Sequence, residues 1–393
     1  MIFASLIREW KELSRFRALE PRLRSIVFYA EDSSSWTYFE PIVRELTGAL
    51  GKQICYVTSS KDDQILDLHE ESIRTFCIGS GTVRTAFFLS LEADVMVMTM
   101  PDLGTLHIKR SKESVHYVYV YHSLVSSHMS YRRGAFDQFD AILCVGPHHK
   151  EEVRATEELY GLKPKILIEA GYGRLDSILG FEASLPSHFT DSHSGTKRVL
   201  VAPSWGGNSL LENHGPELVE VLLGTGHHIT VRPHVMMIRH RRKLLGRLQQ
   251  QFGPNPNFAL DLSLGSQAVM HEYDLLVADW GGSAFEYAFG LERPVLFVDV
   301  PRKVFNPEYE RIPCTPMEVQ VRSEIGDIVS PDRLQEVPDR MESLLEDTGV
   351  RKDRIIEARS RWVYNLGSSG KVGAEYISRK ADNLSNGADP GRK

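Results

Sequence analysis

The chain has 393 residues, of which 42% are hydrophobic and 25% charged, and carries a formal net charge of −6. This length exceeds what one hydrophobic core organises, so two domains of ordinary size are expected, and the acidic balance excludes a general nucleic-acid binder with its basic excess. No run of about 18 apolar residues is present to form a transmembrane helix. The four cysteines, at positions 55, 77, 144 and 314, show neither C-x-x-C pairing nor zinc spacing. Three of them lie in apolar strand-like runs, the pattern of buried reduced thiols in a cytosolic protein.

Residues 1–24 lack the apolar stretch and cleavage site of a signal peptide. They place Ile2, Phe3, Leu6, Ile7, Trp10, Leu13 and Phe16 at helical spacing, flanked by Arg8, Lys11, Arg15, Arg17, Arg22 and Arg24. The spacing predicts an amphipathic helix that either packs on its own domain or lies in a membrane interface through residues 1–19. From residue 25, short apolar runs alternate with amphipathic helices, which is the signature of a parallel α/β domain. Strands are expected at 25–29, 53–58, 75–78, 94–98, 115–121, 141–145 and 165–170, with helices at 36–50, 83–91 and 148–160. This first domain spans 25–180. Residues 181–197, rich in Ser, Gly and Pro, read as a linker. A second alternating domain follows over 198–347. Its strands are expected at 198–202, 228–231, 258–260, 275–278 and 294–298, and its helices at 216–223, 236–251, 266–271, 284–290 and 331–346. Residues 348–393 read as a C-terminal helix, over 351–383, and a tail.

Two such domains joined by one linker predict a cleft, and in open parallel sheets ligands bind beyond the carboxyl ends of the strands. Strand ends therefore carry the candidate residues. The run 277–288, VADWGGSAFEYA, closes a strand on Asp279 and turns through Gly281 and Gly282 into a helix opening at Ser283. Glycines let a backbone approach a phosphate, and the helix start favours an anion. Ser283 either contacts that anion or caps the helix, and Glu286, on the same face, suits a sugar or polyol hydroxyl. At 231–234, Pro233 ends a strand and leaves Arg232 and His234 at its mouth, a pairing suited to a diphosphate. A third turn after a strand holds Trp205, Gly206 and Gly207. In the first domain a strand emerges on His122, which is either a general base or a core residue. The turn at 171–176, GYGRLD, brings Arg174 to a strand end or serves as structure alone. No HExxH, Walker lysine motif, GxSxG or acidic metal cluster is present, so no metal or cofactor is expected.

Taken in order, Tyr121-His122-Ser123, the Gly171 to Asp176 turn, Val231-Arg232-Pro233-His234, and Asp279 to Ser283 with Glu286 resemble the motifs of the CDP-glycerol glycerophosphotransferases of teichoic acid synthesis. Ser123 stands where that family has Gly, Gly173 where it has Pro, and Gly281-Gly282 where it has a Ser-bearing step. The resemblance covers residues 100–300 and implies a GT-B fold of two facing Rossmann-like domains. It also implies a cytoplasmic enzyme, peripheral on the inner face of the plasma membrane only if the N-terminal helix lies in the interface rather than on its own domain. Its donor would be a CDP-polyol and its acceptor a lipid-linked or polymer hydroxyl. By this resemblance His122 is the base, Arg232 and His234 hold the diphosphate, and the Asp279 to Glu286 turn binds the rest of the donor. UDP-N-acetylglucosamine 2-epimerases and sugar transferases share the frame and a similar glycine-bearing helix start. An epimerase, however, is expected to carry more acid and base carboxylates in its first domain. A non-catalytic scaffold of polymer assembly is the remaining alternative.

Overall fold

The computed structural model describes residues 2–105, 108–184, 195–263, 267–346 and 348–387. The chain divides into two contact units. The first comprises Met1–Ser123, Tyr131–Asp176 and Val363–Lys393, and the second Leu124–Ser130 and Ser177–Trp362.

In the first unit, β1 (Ile26–Ala30), β2 (Ile54–Thr58), β3 (Ile73–Cys77), β4 (Val95–Met98), β5 (His116–Val120), β6 (Ala141–Cys144) and β7 (Ile166–Glu169) form one sheet in the order β3-β2-β1-β4-β5-β6-β7. In the second, β8 (Arg198–Val201), β9 (His228–Val231), β10 (Phe258–Leu260), β11 (Leu275–Ala278), β12 (Val295–Val298) and β13 (Gly326–Val329) run in the order β10-β9-β8-β11-β12-β13. All of these pairings are parallel. Each sheet thus winds outward from its first strand and then restarts on the other side. This creates a topological switch point between β1 and β4, and another between β8 and β11. Central strands such as β1, β2, β4 and β5 are buried along their whole length, whereas edge strands β3 and β7 are not. Burial on both faces is why the central strands read as unbroken apolar runs.

The helices are α1 (Ile2–Arg17), α2 (Trp36–Thr47), α3 (Thr82–Leu89), α4 (Ser127–Ser130), α5 (Pro147–Tyr160), α6 (Gly173–Ser184), α7 (Leu210–Leu223), α8 (Val235–His240), α9 (Arg242–Phe252), α10 (Ser283–Leu291), α11 (Met317–Ile325), α12 (Val337–Glu346), α13 (Thr348–Trp362) and α14 (Ser369–Ser385). The α1 helix packs on the first unit through its last turns. Leu13 and Phe16 are buried, with the Phe16 ring edge-on to Phe76 at 5.4 Å and to Phe87 at 5.3 Å. Ile7 and Trp10 stay exposed, at 46% and 42%. No helix among the described residues is long and apolar enough to cross a membrane. All four cysteines are free thiols, with Cys55 and Cys144 buried.

Several boundaries differ from the sequence expectation. The helix expected over 351–383 is two helices, parted where Asn365 and Gly367 take positive φ. The second of these, α14, packs on α2 in the first unit: a Cβ on Gly370 would lie 2.6 Å from the Pro41 carbonyl oxygen, and Tyr376 Oη is 2.8 Å from His116 Nε2. Residues 363 onward thus belong with the first unit rather than standing apart. The units meet along the chain inside α6, at Asp176 and Ser177, ahead of the expected 181–197 linker, of which 185–194 lie outside the described residues. The helix expected over 236–251 breaks at Arg241 (φ −125°, ψ 33°) into α8 and α9. Residue 266, the expected start of another helix, also lies outside the described residues. The sequence reading assigns nothing over 299–330, where the structure has α11 and β13. GDIV is short and opens on two strand-poor residues, so it carries little strand signal.

Candidate functional site

In the second unit, the apolar strand β11 ends on a carboxylate because two loops need tying together. Asp279 is fully buried, and its oxygens accept the Ser204 backbone N–H (2.7 Å), the Ser204 hydroxyl (3.1 Å) and the Leu210 N–H (3.2 Å). It therefore fastens the end of β11 to the loop after β8 and to the start of α7, across the switch point. Gly206 takes φ 126°, which side chains disfavour, so glycine is needed for that turn. Gly281 passes against Ser204, where a Cβ would lie 3.7 Å from the serine backbone N. Gly282 stands at the N-cap of α10 without a side-chain cap, and Glu286 is buried in the first helical turn. At the start of α7, Ser209 makes no cap bond, and its Oγ is buried without a hydrogen-bond partner. Two helix starts, each with its partial positive charge, are thus held at the switch point.

A second cluster lies on the neighbouring strand ends. His234 Nδ1 accepts the Met236 N–H at 3.1 Å, so the proton of the neutral ring resides on Nε2. The ring stacks on Trp205 (centroids 6.0 Å, 28°), and Lys303 Nζ lies 4.8 Å from the Trp205 centroid. Although His234 is exposed at the surface, crowding of its ring in this corner desolvates it and, with the Lys303 charge, brings its pKa down to about 4. Desolvation likewise brings Lys303 down to about 8, against the attraction of Asp279. Both pKa values fall on folding, so the unfolded chain binds protons first. Through these groups stability falls as pH drops from 6.5 toward 4, and rises as pH climbs from 8 toward 10.5.

Arg232 turns toward β10, with Nε 2.8 Å and an η nitrogen 2.7 Å from Asp261. Its charge is thus matched by a carboxylate.

In the first unit, His122 stands half-buried beyond β5. Its Nδ1 is 2.8 Å from the Thr99 carbonyl oxygen, which can only accept, so Nδ1 donates and Nε2 keeps its lone pair. The Tyr131 hydroxyl lies 3.3 Å from Nε2, and burial holds its pKa above the ordinary tyrosine value, leaving it protonated as a donor. The Gly171 to Asp176 turn fastens the returning chain. A Cβ on Gly171 (φ 98°) would lie 2.3 Å from the Tyr364 carbonyl oxygen, and Asp176 accepts the N–H groups of Gly367 (2.7 Å) and Ser369 (2.8 Å). Arg174 lies in this unit, its guanidinium 5.8 Å from the Tyr38 ring centroid.

The structure thus groups Gly206, Gly207, Asp279, Gly281, Gly282 and Ser283 at one switch point and sets His234 against Trp205. Sequence reasoning missed Lys303, Tyr131 and Thr99. The only signal for Lys303 was a Pro-Arg-Lys run just after a strand. Among the described residues no group of His, Cys, Asp and Glu could hold a metal ion.

No family model and no curated protein matches the chain. Among solved structures it resembles the wall teichoic acid polymerase TagF soaked with CDPG, at TM-score 0.61 and 15% identity over 97% of this chain and 95% of that one. It also resembles the UDP-GlcNAc 2-epimerases of Neisseria meningitidis, bound to UDP-GlcNAc (TM-score 0.57, 11% identity, 90% and 99% covered), and of Methanocaldococcus jannaschii, with UDP-GlcNAc and UDP (TM-score 0.52, 13% identity, 90% and 98% covered). At these identities the likeness is one of fold, and the chain has the α/β, GT-B-type fold of two parallel Rossmann-like sheets.

Proposed function

We propose that the chain transfers a polyol phosphate from a CDP-activated donor to a hydroxyl of a lipid-linked or polymer acceptor. The observation that carries this reading is the tautomer of His122: with Nδ1 donating to the Thr99 carbonyl, the Nε2 lone pair of the neutral ring faces the Tyr131 hydroxyl, and an acceptor hydroxyl that takes the place of that contact gives its proton to Nε2. The acceptor oxygen attacks the β-phosphorus of the CDP-polyol while Nε2 takes the hydroxyl proton. The bond from that phosphorus to the bridging oxygen breaks, and CMP leaves. Lys303 contributes charge, neutral His234 an Nε2–H hydrogen bond, and the α7 and α10 starts their N–H groups to the diphosphate. Arg232 joins them by exchanging Asp261 for phosphate. Arg174 supports the turn at the end of the first domain, and Glu286 contacts polyol or ribose hydroxyls.

Thermal unfolding with CMP, CDP-glycerol, CDP-ribitol, UDP and UDP-N-acetylglucosamine tests the donor. A ligand at about 100 times its Kd adds about 2.7 kcal/mol, a shift of several degrees. Selective stabilisation by the cytidine compounds is expected. It should shrink as pH rises from 7 to 9, because ligand-free Lys303 loses its proton near 8 and binding then requires proton uptake. Stabilisation by uridine compounds alone favours the second reading, a UDP-sugar transferase or 2-epimerase, which the shared fold supports.

The acceptor is reached at a membrane surface, with exposed Ile7 and Trp10 of α1 entering the interface beside Arg8 and Lys11. Ile7→Ser/Trp10→Ser is expected to abolish co-sedimentation with anionic vesicles while Tm holds. Equal binding by the variant and the parent protein ends this part of the reading.

A further inference from the structure

Within the second unit, the Asp279 to Ser283 turn is tied down on two sides. Asp279 fastens it toward β8, and Trp280, the next residue, fastens it toward β12. The Trp280 indole is buried, and its Nε1–H donates to the Val300 carbonyl at 2.7 Å. Over its face lies the guanidinium of Arg322, from α11, with Cζ 3.5 Å from the ring centroid and 5.5 Å from that of Phe297 in β12. Arg322 Nη2 donates to Asp299 at 2.8 Å, but Nε and Nη1 are buried without a hydrogen-bond partner. A second guanidinium, that of Arg302, lies 5.7 Å from the Trp280 centroid.

Burying a guanidinium in this way costs stability. Its unmatched N–H groups lose their hydration and gain nothing in return. Desolvation lowers the Arg322 pKa from the ordinary arginine value, the Arg302 charge adds to this, and Asp299 and Glu318 oppose it. An apolar side chain of similar length would fill the same space at lower cost. What the guanidinium adds is a cation–π attraction that fixes the plane of the indole. That indole belongs to the residue directly before Gly281 and Gly282. Glycine pairs carry the greatest backbone freedom, and the α10 start beyond them binds an anion well only if this freedom is removed before the ligand arrives.

We propose that Arg322 is a positioning residue of the donor site: by clamping the Trp280 ring against β12, it holds the Gly281-Gly282 turn in the form that presents the α10 start to a diphosphate. It acts through Trp280 and touches no ligand. This rests on the reading of the turn as the diphosphate site, and not on which base the donor carries.

The test is calorimetric titration of the full chain, and of its Arg322→Met, Arg322→Lys and Trp280→Phe variants, with CDP-glycerol, UDP-N-acetylglucosamine and inorganic pyrophosphate, beside the ligand-free Tm of each protein. Arg322→Met removes the charge and the unmatched donors but keeps the length. Its Tm is expected to hold or rise, while the Kd of every ligand that the parent protein binds rises about tenfold, the size of one desolvated cation–π contact. Arg322→Lys keeps a cation over the ring and is expected to recover part of that loss, leaving Kd about threefold above the parent value. Trp280→Phe keeps a ring and loses the bond to Val300, so it is expected to weaken binding as well, and it keeps the question answerable if Arg322→Met folds poorly. A residue that merely supports the core lowers Tm and leaves the Kd of the folded protein alone. Unchanged Kd values in folded Arg322→Met and Trp280→Phe overturn the proposal. If the parent protein binds only the uridine ligand, the CDP-polyol reading falls, while that ligand still decides the clamp. If it binds none of the three, the turn is not a diphosphate site and the clamp falls with it.

Discussion

His122→Gln is expected to lower kcat for CMP release from CDP-glycerol by about 10²- to 10⁴-fold, the range that a positioned general base contributes. Donor KM should hold, because the donor contacts proposed here lie on Lys303, His234 and the helix starts of the second unit. The local structure explains the size of the loss. The Thr99 carbonyl directs the one proton of the neutral ring to Nδ1, so Nε2, which faces the Tyr131 hydroxyl, is the basic atom of the ring before substrate arrives. Glutamine fills similar space but has no lone pair of comparable basicity. Phosphoryl transfer owes much of its rate to positioning and charge stabilisation, so a residual rate should remain. The measurement is steady-state release of CMP at pH 7 with a lipid-linked acceptor. A drop of less than tenfold removes His122 from the role of base, and intact polymer in cells carrying the variant supports a scaffold instead.

The second large effect concerns stability. Asp279→Ala should destabilise the second unit by about 3 to 5 kcal/mol, because it strands the buried N–H groups of Ser204 and Leu210 and leaves the Ser204 hydroxyl without its acceptor. For a domain of this size that corresponds to a fall in Tm of about 10 °C, read by calorimetry. Asp279→Asn keeps one acceptor oxygen and should cost less. Loss of nucleotide binding should accompany the fall, because the same carboxylate holds the loop carrying Trp205, Gly206 and Gly207. If Asp279→Ala leaves Tm unchanged while nucleotide binding disappears, the carboxylate serves the ligand rather than the loop.

The sequence by itself determined the two parallel sheets and the placing of polar turns at strand ends, since both are local properties. A strand buried on two faces must be apolar throughout, as β1, β11 and β12 are, and the helix that follows must carry one apolar face. The glycine turns at 206 and 281 were legible for the same reason: short spans of backbone geometry select their own residues. Tertiary structure decided what each polar residue does. Asp279 and Asp176 are both strand-end or turn carboxylates in sequence, and only the fold shows that each accepts backbone N–H groups from segments 69 to 193 residues away. Lys303 and Trp205 are separated by nearly a hundred residues, and they meet because β8, β11 and β12 are neighbours in the sheet. The segment 124–130 has no periodicity to betray its place in the second unit. Its identity lies entirely in long-range hydrogen bonds to Asn306, Met317 and Glu318, which no local pattern encodes.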